Sequence, residues 1–131
     1  MNLKRPFKLE IKQTYQKGWG VFATSPIYTG EILEECPILK LPQNTDLINS
    51  KVVIDYAFGY PQKNPQIQVL PLGFGSLYNH SDTPNAAYQH HAIYDEIFQF
   101  VSIKDINPGE EICIYYGGDG YWIQRPYVKK I

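Results

Sequence analysis

The sequence predicts a mostly β domain built from many short strands, with one or two small helices. Three observations carry that expectation. Apolar residues make up 44% of the 131 positions, enough to bury a sizeable core without disulfide help. Alternating and β-branched runs recur, while long helical periodicity is scarce. Ten Gly and ten Pro are spread along the chain and punctuate turns instead of forming a linker. One domain is expected at this length, covering 1–131 with a core over about residues 8–127.

Residues 8–14, KLEIKQT, alternate and read as the first strand. GVFAT at 20–24 is a second, followed by a turn over SPIYTG. EILEECPILKL at 31–41 is extended, and its Pro37 points to an edge or a bulge. In residues 45–60, TDLINSKVVIDYAFGY, the signals conflict. Thr45 or Asp46 offers a helix cap, whereas VVIDYAF is rich in β formers. IQVLPLG at 67–73 is a strand, and FGSLYN at 74–79 is a short turn of helix. Residues 86–103 hold two strands around a turn near Tyr94 and Asp95. Pro108-Gly109 suits a type II turn, and EICIYYG at 111–117 is the last strand. On that strand Tyr115 and Tyr116 alternate, so one of them faces inward.

Charge and cysteine content narrow the function classes. The net charge of −1 hides an asymmetry: residues 1–17 carry five Lys and Arg against one acid, while residues 18–124 carry four Lys against twelve Asp and Glu. An acidic body attracts a cationic partner and repels nucleic acid phosphates, leaving the basic N-terminal arm as the place for any nucleic acid contact. Cys36 and Cys113 are the only cysteines and stand far apart. They are too few for a zinc cluster and point to a reducing, intracellular compartment, although sequence alone leaves one cross-link open. No apolar run reaches membrane-span length, and no signal-peptide core opens the chain.

Three clusters carry chemistry. Gly18-Trp19-Gly20 precedes a strand without a βαβ unit, which rules out a dinucleotide fingerprint and leaves either a simple turn or a close backbone approach to a ligand. Asn79-His80 closes an apolar lead-in. Catalytic, metal-binding and ligand-holding readings all apply, alongside a plain capped corner. A general base needs a nucleophile that no nearby motif supplies, and His90 and His91 point to opposite faces, so at most one joins His80 on a metal. The remaining functional reading uses the Asn79 amide and the His80 main chain to hold a small polar ligand. The third cluster, Tyr115-Tyr116 with Tyr121-Trp122, suits either an aromatic core or a narrow channel for a cationic amine.

Taken together and in this order, the clusters resemble the SET-domain protein lysine methyltransferases. The family pattern is matched by Gly18-Trp19-Gly20-Val21-Phe22-Ala23, by Asn79-His80-Ser81-Asp82-Thr83-Pro84-Asn85 and by Gly109-Glu110-Glu111-Ile112-Cys113-Ile114-Tyr115-Tyr116-Gly117. LGFGSLYNHS and GYWIQRP are most similar to the compact viral members, which methylate a histone tail as homodimers. The resemblance implies a β-clip-like fold of small sheets with a C-terminal pseudoknot, an exception to the rule against threading. It implies S-adenosylmethionine as cofactor, S-adenosylhomocysteine as product, and a lysine entering from the opposite face. By similarity Tyr116 is the catalytic tyrosine. Gly18, Trp19, Gly20, Asn79, His80 and Trp122 face the cofactor, and Tyr56, Tyr88, Tyr121 and Ile114 wall the substrate channel.

The expected substrate is a histone tail or a similar basic protein, with a homodimer as the expected assembly and no membrane partner. Localisation follows the source: a host nucleus for a viral or effector protein, the cytoplasm otherwise. The family's cysteine-rich zinc segments before and after the domain have no counterpart here, so no metal is expected, and Tyr121, Trp122 and Tyr127 are the aromatics available to close the channel. The alternatives are a non-catalytic methyl-lysine or peptide-binding module on the same fold, and a zinc hydrolase using His80, His90 and His91.

Overall fold

A computed structural model describes residues 2–118, apart from 44 and 64, together with residues 121 and 122. Among these residues nine strands run β1 Leu9–Gln13, β2 Trp19–Ala23, β3 Ile32–Lys40, β4 Phe58–Tyr60, β5 Ile67–Pro71, β6 Asn79–His80, β7 Ala86–His90, β8 Ile97–Ser102 and β9 Glu111–Ile114. One short helix, α1 Lys51–Asp55, lies between β3 and β4, and 3-10 turns occupy Asp46–Asn49 and Gly75–Leu77. The strands form a four-stranded sheet, β1-β2-β9-β6, and a five-stranded sheet, β4-β5-β3-β8-β7. The fold is mostly β in several small pieces, as the sequence predicts.

Two local expectations need correction. β3 is central, not an edge, and its irregularity lies between Ile32 and Glu34 instead of at Pro37. β3 pairs with β8 as far as Pro37 and with β5 from Ile38 to Lys40. Proline is tolerated at this handover, where its carbonyl accepts from Leu72 N–H. The conflicted stretch 45–60 resolves into helical turns followed by only three strand residues. The cap is Ser50, whose hydroxyl accepts from Val53 N–H at 3.4 Å; neither Thr45 nor Asp46 caps α1. A cap there outweighs the weak β preference of the Val-Val-Ile run, and β4 begins only where β5 offers an edge, at Phe58.

Both sheets turn their apolar faces into one core. Val21, Ile112 and Ile114 come from the smaller sheet, and Leu33, Val69, Phe98 and Phe100 from the larger. Each such side chain contributes roughly 1.5–3 kcal/mol by leaving water. Cys36 and Cys113 are both buried free thiols, and burial pushes Cys113 up to about 11, so neither is poised for thiolate chemistry.

The parallel pairing of β6 with β9 positions the site. Asn79 stands opposite Cys113 and His80 opposite Ile114, which brings the Asn-His step beside the tyrosines that follow β9. The strand ends at Ile114, so Tyr115 and Tyr116 lie just beyond it. They still separate as alternation predicts, Tyr115 half exposed and Tyr116 turned inward. The segment that would complete a pseudoknot, Tyr127 with it, lies outside the described residues.

Candidate functional site

A two-residue strand has too short a ladder to fix its own register, and side chains do that work at β6. Asn85 imitates a strand residue against β9: its Nδ2 donates to the Glu111 carbonyl at 2.9 Å and its Oδ1 accepts from Cys113 N–H at 2.8 Å. The buried His80 ring accepts from Tyr116 N–H at Nδ1 (2.9 Å) and lies 2.8 Å from Asp82 Oδ1 at Nε2. An N–H donor at Nδ1 assigns the proton to Nε2, which donates to Asp82. The imidazole is thus a peg for the Tyr116 backbone. Because Ser81 N–H is the group that bonds Ile114, the His80 N–H and C=O face the free edge of β6.

Asn79 uses both amide hydrogens within the protein, donating to the Trp19 carbonyl at 3.0 Å and to Glu111 Oε2 at 2.7 Å. Among the described residues no donor reaches its Oδ1. Glu111 also holds Lys17 Nζ at 3.2 Å, so one carboxylate ties the β1–β2 turn and β6 to β9. This crowding explains Gly20. A Cβ there would meet Glu111 Oε2 at 2.6 Å and Thr14 Cγ2 at 2.8 Å, so a side chain at this position would displace the Asn79–Glu111 pair.

Tyr116 donates its hydroxyl to the Tyr78 carbonyl at 2.6 Å. Burial, with Tyr121 as the next contributor, pushes that hydroxyl well above the ordinary tyrosine range. Tyr116 is therefore a neutral phenol at physiological pH, with its proton donated to a carbonyl. Tyr121 packs against it at 5.7 Å, and Trp122 stacks at 6.2 Å while anchoring Nε1 on the Gly117 carbonyl.

Two clefts meet at this tyrosine. One, of about 390 Å³, is lined by Lys17, Val52, Asn79, His80 and Trp122, among others. The other, of about 250 Å³, is lined by Phe58, Ser76, Tyr78, Tyr88 and Ile114, among others. Asp55, Tyr56, Tyr116 and Tyr121 belong to both.

The residues singled out by sequence therefore sort by cleft. Asn79, His80 and Trp122 line the larger one, Tyr88 and Ile114 the smaller, and Tyr56 and Tyr121 stand where the two meet, beside Tyr116. Gly18, Trp19 and Gly20 line neither; they border the Asn79–Glu111 pair through the Trp19 carbonyl and the bare Gly20 Cα. His90 and His91 are spent elsewhere, accepting from Gln62 N–H and from Ile93 and Tyr94 N–H. Among the described residues no group of three His, Cys, Asp or Glu could hold a metal. Sequence reasoning gave no separate role to Glu111 or Tyr78, and it saw Asn85 only as part of the motif turn. The Gly-Glu-Glu motif held a signal for the first, since its turn exposes Glu110 and places Glu111 at the strand start.

A family model described as SET domain matches residues 18–117. The chain belongs to the SET-domain family. Among curated proteins, this SET domain is 31% identical over 116 residues to a histone-lysine N-methyltransferase of Schizosaccharomyces pombe specific for lysine 37 of histone H3, an alignment covering 88% of this chain and 77% of the relative. It is 32% identical over 130 residues to a second enzyme of that yeast, specific for lysine 9 of histone H3, covering 87% of this chain but 26% of the relative. Among solved structures it superposes on a Plasmodium falciparum protein assigned as a histone methyltransferase, with a TM-score of 0.72 and 31% identity, covering 87% of this chain and 96% of the other.

Proposed function

We propose that this SET domain is a protein lysine methyltransferase that uses S-adenosylmethionine and acts on a histone tail or a similar basic protein. The observation that carries the proposal is the pair of clefts meeting at one neutral, inward-facing tyrosine. Methyl transfer needs a donor and an acceptor approaching a shared point from different sides, and positioning supplies much of its rate.

The larger cleft suits the cofactor. Asn79 Oδ1 accepts from an ammonium, the edge of β6 offers the His80 main chain, and Trp122 supplies an aromatic face. When bound there, S-adenosylmethionine supplies an electrophilic methyl group on a sulfonium. The smaller cleft suits the lysine. Tyr88, Phe58 and Ile114 exclude water from its walls, which lowers the amine pKa and favours the neutral nucleophile. The lone pairs of the Tyr116 hydroxyl accept an amine N–H and aim the nitrogen. The Tyr116 oxygen keeps its proton, which it donates in a hydrogen bond to the Tyr78 carbonyl, so Tyr116 orients and does not act as the base.

The relatives named as histone methyltransferases and the acidic body support a cationic substrate, and the relatives' histone targets support action inside the cell. No helix among the described residues is long and apolar enough to cross a membrane. The test is incubation with methyl-labelled S-adenosylmethionine and core histones, followed by amino-acid analysis. Label recovered as Nε-methyl-lysine is the expected result. Cofactor binding with no labelled protein is the result a non-catalytic module on this fold would give.

A further inference from the structure

We propose that Glu34, which lines neither cleft, is a positioning residue for Tyr116 and acts through the side chain of Tyr78. The inference rests on the methyltransferase reading above. Glu34 lies on β3 with 1% of its surface exposed. Its partners among the described residues are all neutral donors: the Tyr78 hydroxyl on Oε1 at 2.7 Å, the Phe74 N–H on Oε2 at 3.2 Å and the Cys36 thiol. Burial raises its carboxyl above the ordinary range, and those three hydrogen bonds only partly offset the rise. A buried carboxyl without a cation is an expensive way to fill a core, where an apolar pair of the same shape would be more stable.

What the carboxyl secures is the path from Phe74 to Tyr78. One oxygen holds the start of that path and the other holds its end, across the 3-10 turn Gly75–Leu77. Ser76 and Tyr78 on this path line the smaller cleft. The Tyr78 ring is stacked on Phe100 at 4.5 Å and pinned at its tip by Glu34. The carbonyl of the same residue accepts the Tyr116 hydroxyl at 2.6 Å. Tyr78 therefore spans the distance between the two, with Glu34 at its side-chain end and the site tyrosine at its main-chain end. Letting the tip go lets the carbonyl drift, and the Tyr116 oxygen drifts with it.

The test compares Glu34→Gln, Tyr78→Phe and the double variant with the wild-type chain. Melting temperature, kcat and KM for cofactor and histone are measured, with the 19F resonance of 3-fluorotyrosine placed at 116. The expected result is a kcat lower by roughly tenfold in either single variant, both KM values unchanged, and a double variant no slower than the slower single. The 19F resonance shifts in both. A lower melting temperature with wild-type kcat and an unmoved resonance would reduce Glu34 to a structural group, and additive kcat losses would exclude Tyr78 as the intermediary. If Glu34→Gln does not fold, Tyr78→Phe carries the same comparison. If the wild-type chain labels no protein, the methyltransferase reading fails, and the 19F resonance alone decides whether Glu34 is coupled to Tyr116.

Discussion

The five-stranded sheet and the β6–β9 strip reach their geometry by different means. β3 and β8 share five paired positions and bury Phe98 and Phe100 completely. β6 shares two with β9, and its place is set by Asn79, His80, Asn85 and Glu111 side chains. The first region draws on buried area, which is large and not directional. The second draws on single hydrogen bonds, each worth about 0.5–1.5 kcal/mol net but strict in distance and angle. The sheet therefore supplies stability, and the strip supplies the alignment that methyl transfer needs.

Substitutions should sort accordingly. The largest effect expected on stability is in the sheet. Phe100→Ala removes a ring stacked on Tyr78 and packed near Phe58 and Tyr88, and it should lower unfolding free energy by about 3–5 kcal/mol in urea titration. A loss under 1 kcal/mol would mean that the sheet does not carry the fold as argued. In the strip, Asn79→Ala loses the bonds to the Trp19 carbonyl and Glu111 and should lower unfolding free energy by about 1–3 kcal/mol, less than Phe100→Ala, while weakening cofactor binding by about 10- to 100-fold, the range for losing a hydrogen bond to a charged group. Calorimetric titration reads this directly. Unchanged affinity would remove the Oδ1 contact, and a collapse of stability would erase the contrast between the two regions.

Much of this was legible in the sequence, and the gaps have physical causes. Short alternating strands announce themselves locally, and β1, β5, β7 and β8 fall where alternation and turn residues put them. The stretch 45–60 defeated local rules because a third residue of good capping type, Ser50, starts the helix, and because β5 decides where β4 can begin. Pro37 misled for a related reason: a proline inside a sheet is tolerated where one partner strand replaces another, and no local pattern reports that handover.

At the site, resemblance picked out the residues and structure supplied their partners. Asn79, His80 and Tyr116 stood in recognisable motifs. That the His80 side chain holds Tyr116 N–H, and that Asn85 completes the edge of β9, depend on the parallel β6–β9 pairing between distant segments. Gly20 illustrates the same point: its bare Cα makes room for Glu111, Thr14 and Asn79 of the protein itself. Glu34 and Tyr78 form no motif at all, and only the folded core brings them to one hydrogen bond.

In the proposed reaction Tyr116, shared by two clefts, aims the substrate amine for transfer. Single-turnover methylation of core histones by Tyr116→Phe, beside calorimetric binding of S-adenosylmethionine, tests it most directly. Cofactor affinity should stay within about twofold of wild type and the transfer rate should fall by about 10²–10³, the range for removing one oriented polar group from a reacting centre. A Tyr116→Phe protein that methylates at the wild-type rate would contradict it.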